Sequence, residues 1–194
     1  QGQKHCEILR RQGHVVRTYD INGQGTERHI SVLSGKVQKI IIAAPTHHHL
    51  DTVQQCASYG KPLLVEKPCG ISVAEVQAMV ALRDQYCPMV VNYNEVFHPD
   101  LASFRPTAAY GYRGARRGGG FVAQRLLSHD LHLVASFYPQ AFLQVLQEGH
   151  GQATAQFDTA WGPVTLEARE NVPPQRTWTF DDPSRPVIDF SHPS

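Results

Sequence analysis

Lys67 is the side chain whose position carries the clearest chemistry. It follows the apolar run Leu63-Leu64-Val65 and Glu66, and it stands directly before Pro68, which cannot continue a ladder of hydrogen bonds. An ammonium at such a strand end can donate to a hydroxyl group and polarise it, and partial burial lowers its pKa toward a useful value. A lysine solvated at the surface is the competing reading. His129, within Ser128-His129-Asp130-Leu131-His132, has an ordinary pKa suited to carrying protons near neutrality; a histidine packed against a helix is its plainer alternative. His47, His48 and His49 invite a metal, but adjacent side chains on a turn diverge, and His129, Asp130 and His132 lack a third ligand at a fitting spacing. No metal site is expected from either group. Arg113, Arg116 and Arg117 lie among glycines, as an anion clamp or, the favoured reading, as a solvated loop.

These residues need elements to hold them. A helix is expected over 4–12, closed by Gly13, and a strand over 14–19. Three apolar runs, at 39–44, 62–65 and 88–91, read as strands buried on both faces. Helices are expected between them, near 48–59 and 72–84. The second opens on Ser72-Val73-Ala74-Glu75, a capping box, and carries Val73, Val76, Met79 and Val80 at helical spacing. Strands and helices alternating at this interval imply βαβ units and a parallel sheet.

Past about residue 100 the texture changes. A loop rich in Arg and Gly over 105–120 leads to a helix near 128–137 and then to strands at 142–146, 153–157, 164–168 and 176–180. Trp161-Gly162-Pro163 marks a tight turn between the middle two. Short connections of this kind predict an antiparallel sheet, hence an α/β domain at 1–95 and an α+β domain at 96–194. The tail from 181, rich in Pro and Ser, is expected to pack loosely.

Composition narrows the partners. Apolar residues at 41% and charged residues at 18% are ordinary for a soluble protein, and a net charge of +1 favours neither nucleic acid nor a membrane surface. No apolar run approaches the roughly 18 residues of a membrane span. Residues 1–5 lack the features of a secretory signal, and Cys6, Cys56, Cys69 and Cys87 form no C-x-x-C pair, so reduced thiols and a cytoplasmic location are expected.

Four motifs in register add a resemblance. Ile41-Ile42-Ala43-Ala44-Pro45-Thr46-His47-His48-His49 precedes Gly60-Lys61-Pro62-Leu63-Leu64-Val65-Glu66-Lys67-Pro68; Val91-Asn92-Tyr93-Asn94 follows the next strand; Gly118-Gly119-Gly120 comes shortly before Ser128-His129-Asp130-Leu131. Over about 1–135 the chain resembles the glucose–fructose oxidoreductase and inositol dehydrogenase family (Gfo/Idh/MocA). The resemblance implies a Rossmann-type doubly wound parallel sheet, followed by an α+β domain with an open, mainly antiparallel sheet. It also implies an oxidoreductase that moves a hydride between a nicotinamide cofactor and a hydroxyl or keto carbon of a sugar, polyol or sugar derivative. Lys67 and His129 match the family's catalytic lysine and histidine. Gly2, Asp20, Pro45, Thr46, His49, Glu66, Lys67 and Asn94 fall where the family holds its cofactor, with the substrate between the domains and the open sheet mediating a homodimer or homotetramer.

Physical chemistry bears on several of these assignments. Gly2 occupies the place of the third glycine of a dinucleotide loop, at a helix N-terminus suited to pyrophosphate. Asp20 can bind a ribose 2′-hydroxyl and repel a 2′-phosphate, favouring NAD while not excluding NADP, or it can be a turn residue before Ile21-Asn22-Gly23. Thr46 can serve a ligand, an N-cap, or both.

The chain also departs from the family pattern. Arg125 stands where an Asp is usual, His132 replaces another Asp, and Glu95 replaces an Arg. A catalytically inactive relative that binds NAD or a sugar as sensor or scaffold is therefore the alternative, and a cofactor-retaining hydrolase or epimerase a second. The first strand and first two glycines of the family are not in this sequence, and the stretches after Asp20 and Phe104 are short. Segments omitted from the sequence and a true deletion variant both stay open; an intact mass well above 21.6 kDa would indicate the first.

Overall fold

Runs of Ile, Leu and Val after lysine or proline set the first sheet, because β-branched side chains suit a strand covered on its faces. The computed structural model of the protein describes residues 1–102, 104–116, 122–185 and 187–191. It divides into two units, Gln1–Asn92 and Tyr93–Ser194. In the first unit, helix α1 (Gly2–Arg11) is closed by Gly13 at φ +83°, and a short helix α2 (Leu33–Lys36) precedes the sheet. Strands β1 (Ile40–Ile42), β2 (Leu63–Val65) and β3 (Met89–Val91) pair in parallel in that order. Helix α3 (His49–Ala57) connects β1 to β2, and α4 (Val73–Tyr86) connects β2 to β3. The core gathers Ile40, Ile42, Leu63 and Val65 under Val53, Cys56, Ala57 and Met79, with Cys87 beside them.

The register is flush. Ile42 lies opposite Val65, and Val65 opposite Val91, so the residues that follow all three strands share one edge. Ser72 caps α4 by accepting from the Glu75 amide at 3.2 Å, while the Glu75 carboxylate accepts from the Ile71 amide at 2.9 Å, one residue earlier than a capping box requires. The helix signalled by the spacing of Val73, Val76, Met79 and Val80 is formed, and of the four only Met79 is buried, with Val73, Val76 and Val80 exposed. Met79 and the partly buried Leu82 define the inner face, and at about 100° per residue Val73 and Val80 fall well outside it. The expected strand at 14–19 is corrected to an extended segment with a single bridge, Tyr19 to Glu27. There the chain folds back at Gly23 (φ +77°), and the Thr18 and Thr26 hydroxyls each accept the other residue's amide at 2.9 Å, joining the two segments through side chains.

The second unit is a six-stranded sheet in the order β5-β6-β7-β4-β8-β9. Its strands are β4 (Ala109–Ala115), β5 (Phe142–Gly149), β6 (Gln152–Asp158), β7 (Val164–Glu170), β8 (Gln175–Phe180) and β9 (Ile188–Asp189). All neighbours are antiparallel except β4 with β7. Helix α5 (Ser128–Phe137) supplies Leu133 and Val134 to the core shared with Ala153, Ala155, Val164, Leu166 and Trp178. The expected succession of a Rossmann-like parallel sheet and a mainly antiparallel one is what the chain forms.

Two expectations change here. The loop at 105–120 contains β4, a central strand, and the tail contains β9, with Ile188 and Phe190 buried. The alternation in β4 was hidden because its inward positions are Ala109, Gly111 and Arg113 instead of large apolar residues. Gly111 lies opposite both Trp178 and Leu166, and a Cβ there would stand 2.8 Å from Trp178 Nε1. Gly111→Ala is therefore expected to destabilise the protein by about 1–3 kcal/mol through overpacking, read as a lower urea midpoint at unchanged slope. Gly35→Ala, into open space, should not.

Candidate functional site

The flush strand ends of the first unit concentrate polar side chains. Glu66, which follows β2, is 6% exposed and accepts three hydrogen bonds. His5 Nε2 lies 2.5 Å from its Oε1, Asn92 Nδ2 donates to the same oxygen at 2.9 Å, and the Lys67 amide donates to Oε2 at 3.2 Å. The backbone continues the ladder, with the Glu66 amide donating to Ile42 and the Asn92 amide to Val65, each at 2.8 Å. A carboxylate thus ties α1, β2 and β3 together and fixes the peptide that carries Lys67. Lys67 itself is half-buried, beside a cis peptide to Pro68.

The neighbouring loop is held by His49, which is buried with both ring nitrogens facing carbonyls: Nε2 at 2.8 Å from Ala44 O, and Nδ1 at 3.0 and 3.1 Å from Pro68 O and Cys69 O. Its ring fastens the loop after β1 to the loop after β2. Pro45 is exposed and Thr46 half-buried at the start of a 3-10 turn, where Thr46 makes no side-chain cap. His47 and His48 are exposed with rings 4.1 Å apart. Gly2 begins α1, where a Cβ would meet only Ala43 Cβ, at 3.7 Å. The helix has no acidic residue in its first turn and no side-chain cap. Asp20 accepts from the Asn22 amide at 2.8 Å, the geometry of a turn residue. Among the described residues, no group of three or more His, Cys, Asp or Glu side chains could hold a metal.

His129 and Asn94 lie in the second unit. Asn94 is exposed at the start of a 3-10 turn, Asn94–Phe97. Glu95, in that turn, is buried and accepts two hydrogen bonds from Arg113, at 3.0 and 2.6 Å. Asp130 accepts two more from the same guanidinium, at 2.7 and 3.2 Å, and one from Trp178 Nε1 at 2.9 Å. Burial alone would lower the pKa of Arg113, but Asp130 and then Glu95 outweigh it and raise it. His129 Nδ1 lies 3.8 Å from Glu95 Oε1, and Arg176 Nη1 3.5 Å from the same oxygen. Tyr93 stacks on His132 at 4.3 Å and meets His129 edge-on at 5.9 Å. Burial pushes His132 below its ordinary value, toward the neutral form.

The expected solvated loop is thereby corrected for Arg113, which is 4% exposed within an ion cluster; Arg116 is exposed. Arg117, the Gly118-Gly119-Gly120 run and the side chain of Arg125 lie outside the described residues. His5 was missed by sequence reasoning. Its one available signal was position, three residues into a helix that begins with Gly2.

The Glu66 network has a pH signature. Burial raises the carboxyl pKa, but hydrogen bonds from His5, Asn92 and the Lys67 amide together bring it below its ordinary 4.5. A carboxyl lowered on folding contributes stability above its unfolded pKa and loses it as pH falls through the folded value. Glu66→Gln should therefore flatten the acid limb of the stability curve below about pH 4.5 while still unfolding in one step, as checked by urea melts from pH 7 to 3.

Residues 3–93 match the model of an oxidoreductase family with an NAD-binding Rossmann fold, GFO_IDH_MocA. The rhizopine catabolism protein MocA of Rhizobium meliloti is 31% identical over 103 residues, which are 53% of this chain and 31% of that protein. The WlbA (WbpB) dehydrogenase of Thermus thermophilus, solved in complex with NAD and alpha-ketoglutarate, superposes with a TM-score of 0.74 at 15% identity, over 97% of this chain and 79% of that one. The UDP-N-acetylglucosamine 3-dehydrogenase GnnA of Acidithiobacillus ferrooxidans gives 0.73 at 19% identity, over 98% and 67%. At these identities the likeness to solved structures establishes the fold. The chain covers 31% of the length of the curated relative. Residues 3–93, with Glu66 and Lys67 on their shared strand edge, are thus identified as an NAD-binding Rossmann domain of the Gfo/Idh/MocA type.

Proposed function

We propose that the protein is an NAD-dependent oxidoreductase acting on a hydroxyl-bearing carbon of a sugar, polyol or sugar derivative. The observation that carries this reading is the pinning of Glu66 by His5 and Asn92, which fixes Lys67 at the end of a parallel strand, the edge where open α/β sheets take their ligands. The residues fit a dinucleotide. The N-terminus of α1 carries Gly2 and no carboxylate in its first turn, which suits a pyrophosphate, and the exposed Pro45 and half-buried Thr46 line the next strand end. Asp20 suits a ribose 2′-hydroxyl, which favours NAD over NADP. Asn94 is assigned to the same ligand. When bound, the nicotinamide supplies the hydride acceptor.

Lys67 donates a hydrogen bond to the reacting hydroxyl, and His129 takes its proton as general base. The names of solved relatives with this fold, among them a UDP-N-acetylglucosamine 3-dehydrogenase, support a sugar derivative as the substrate class. Self-association of the second unit's open sheet belongs to the same reading. Its support is the edge strand β5, where Phe142, Leu143 and Leu146 are exposed.

Mass analysis of nucleotide released on denaturation should find NAD(H). Lys67→Met should lower turnover on the order of 10²- to 10⁴-fold with NAD affinity nearly intact, in assays across UDP-N-acetylglucosamine and simple polyols; unchanged turnover would remove Lys67 from the mechanism. Light scattering should give a dimer or tetramer, and a strict monomer would remove the assembly.

A further inference from the structure

We propose that Glu95 is the positioning residue for His129. Its carboxylate, fixed by Arg113 and Arg176, is the anion toward which His129 presents Nδ1–H, so that the other ring nitrogen serves as the base. The inference rests on the role given to His129 above. Three observations carry it. Glu95 is buried, and its orientation is set by a two-pronged contact with Arg113, so the carboxylate cannot swing away. Its Oε1 lies 3.8 Å from His129 Nδ1, a Coulombic separation longer than a hydrogen bond. Tyr93 meets the His129 ring in a T-shaped contact and so limits the tilt of the imidazole.

Which nitrogen of a histidine holds the proton is set by what the other face meets. An anion beside Nδ1 favours the tautomer protonated there. When the second nitrogen accepts a hydroxyl proton, the imidazolium that forms faces a carboxylate. Among the described residues, the charged and titratable groups around the pair are Tyr93 just before the 3-10 turn, Glu95 in it, Asp130 and His132 on α5, Arg113 on β4 and Arg176 on β8. Asp130 is committed to Arg113 and Trp178. Glu95, although also bound by Arg113, is the carboxylate with an oxygen 3.8 Å from His129 Nδ1, and Arg176, half-exposed, tempers its charge from the other side.

The test follows the imidazole by NMR titration of the full chain without ligand, with the His129 signal assigned from its loss in His129→Asn. Glu95→Gln should lower the His129 titration midpoint by about one pH unit, since a neutral amide no longer favours the imidazolium. Arg176→Gln should raise it, because the carboxylate is then less neutralised. A merely structural role would not move the two in opposite directions. If Glu95→Gln fails to fold, the Arg176 variant, changed at a half-exposed site, carries the test alone. An unmoved midpoint, or shifts of the same sign in both variants, overturns the proposal. If the shifts appear as expected but His129→Asn keeps full turnover, the ion pair stands, the role given to His129 fails, and Glu95 loses its place in catalysis.

Discussion

The second unit depends on one guanidinium. Arg113 sits on a central strand of the sheet, facing an otherwise apolar core of aliphatic and aromatic side chains, and it can stay charged there only because Asp130 and Glu95 both meet it. A buried pair of this kind is no simple gain, because desolvation offsets much of the attraction, but removing one partner strands a charge and costs about 3–5 kcal/mol. The three side chains come from β4, from α5 and from the turn at Asn94–Phe97, so the cluster fixes how the helix and turn seat on the sheet. Gly111, two residues before Arg113 on the same face, leaves the room in which the Trp178 indole reaches Asp130. Small residue, indole and ion pair form one fitted set.

In the first unit the organising constraint is register. Three parallel strands end in step, so whatever follows them lies on one edge, and the chain places Glu66 and Asn92 there. A carboxylate removed from water needs donors, and His5, Asn92 and the Lys67 amide provide them. Lys67 is thus positioned by the needs of its neighbour.

Much of this was legible in the sequence where periodicity or punctuation was strong. The runs at Ile40–Ile42, Leu63–Val65 and Met89–Val91 announced strands by continuous apolar character, and Ser72 announced the start of α4. Glu66 and Lys67 stood out because a polar pair before proline ends an apolar run. What failed to show were features set by distant partners. Arg113 between Gly111 and Gly114 looked like a loop, since nothing local reveals that two carboxylates 17 and 18 positions away will bury it. Glu95 looked like a mere departure from a pattern, and its meaning appears only with Arg113 opposite. Val73, Val76 and Val80 had the right spacing for a core face, yet spacing cannot say which side of a helix the sheet will cover.

All four cysteines fall within Gln1–Asn92, and the other unit has none. Cys56 is fully enclosed, and burial, with Cys87 nearby, pushes its thiol up to about 11; burial raises Cys87 as well. Alkylating reagents attack the thiolate, so these two sulfurs react only when the surrounding structure opens. Cys6 and Cys69, both partly exposed, set the background rate. The protein therefore carries an intrinsic clock for the breathing of its cofactor-type unit, one that stays silent about the other unit and needs no engineered label.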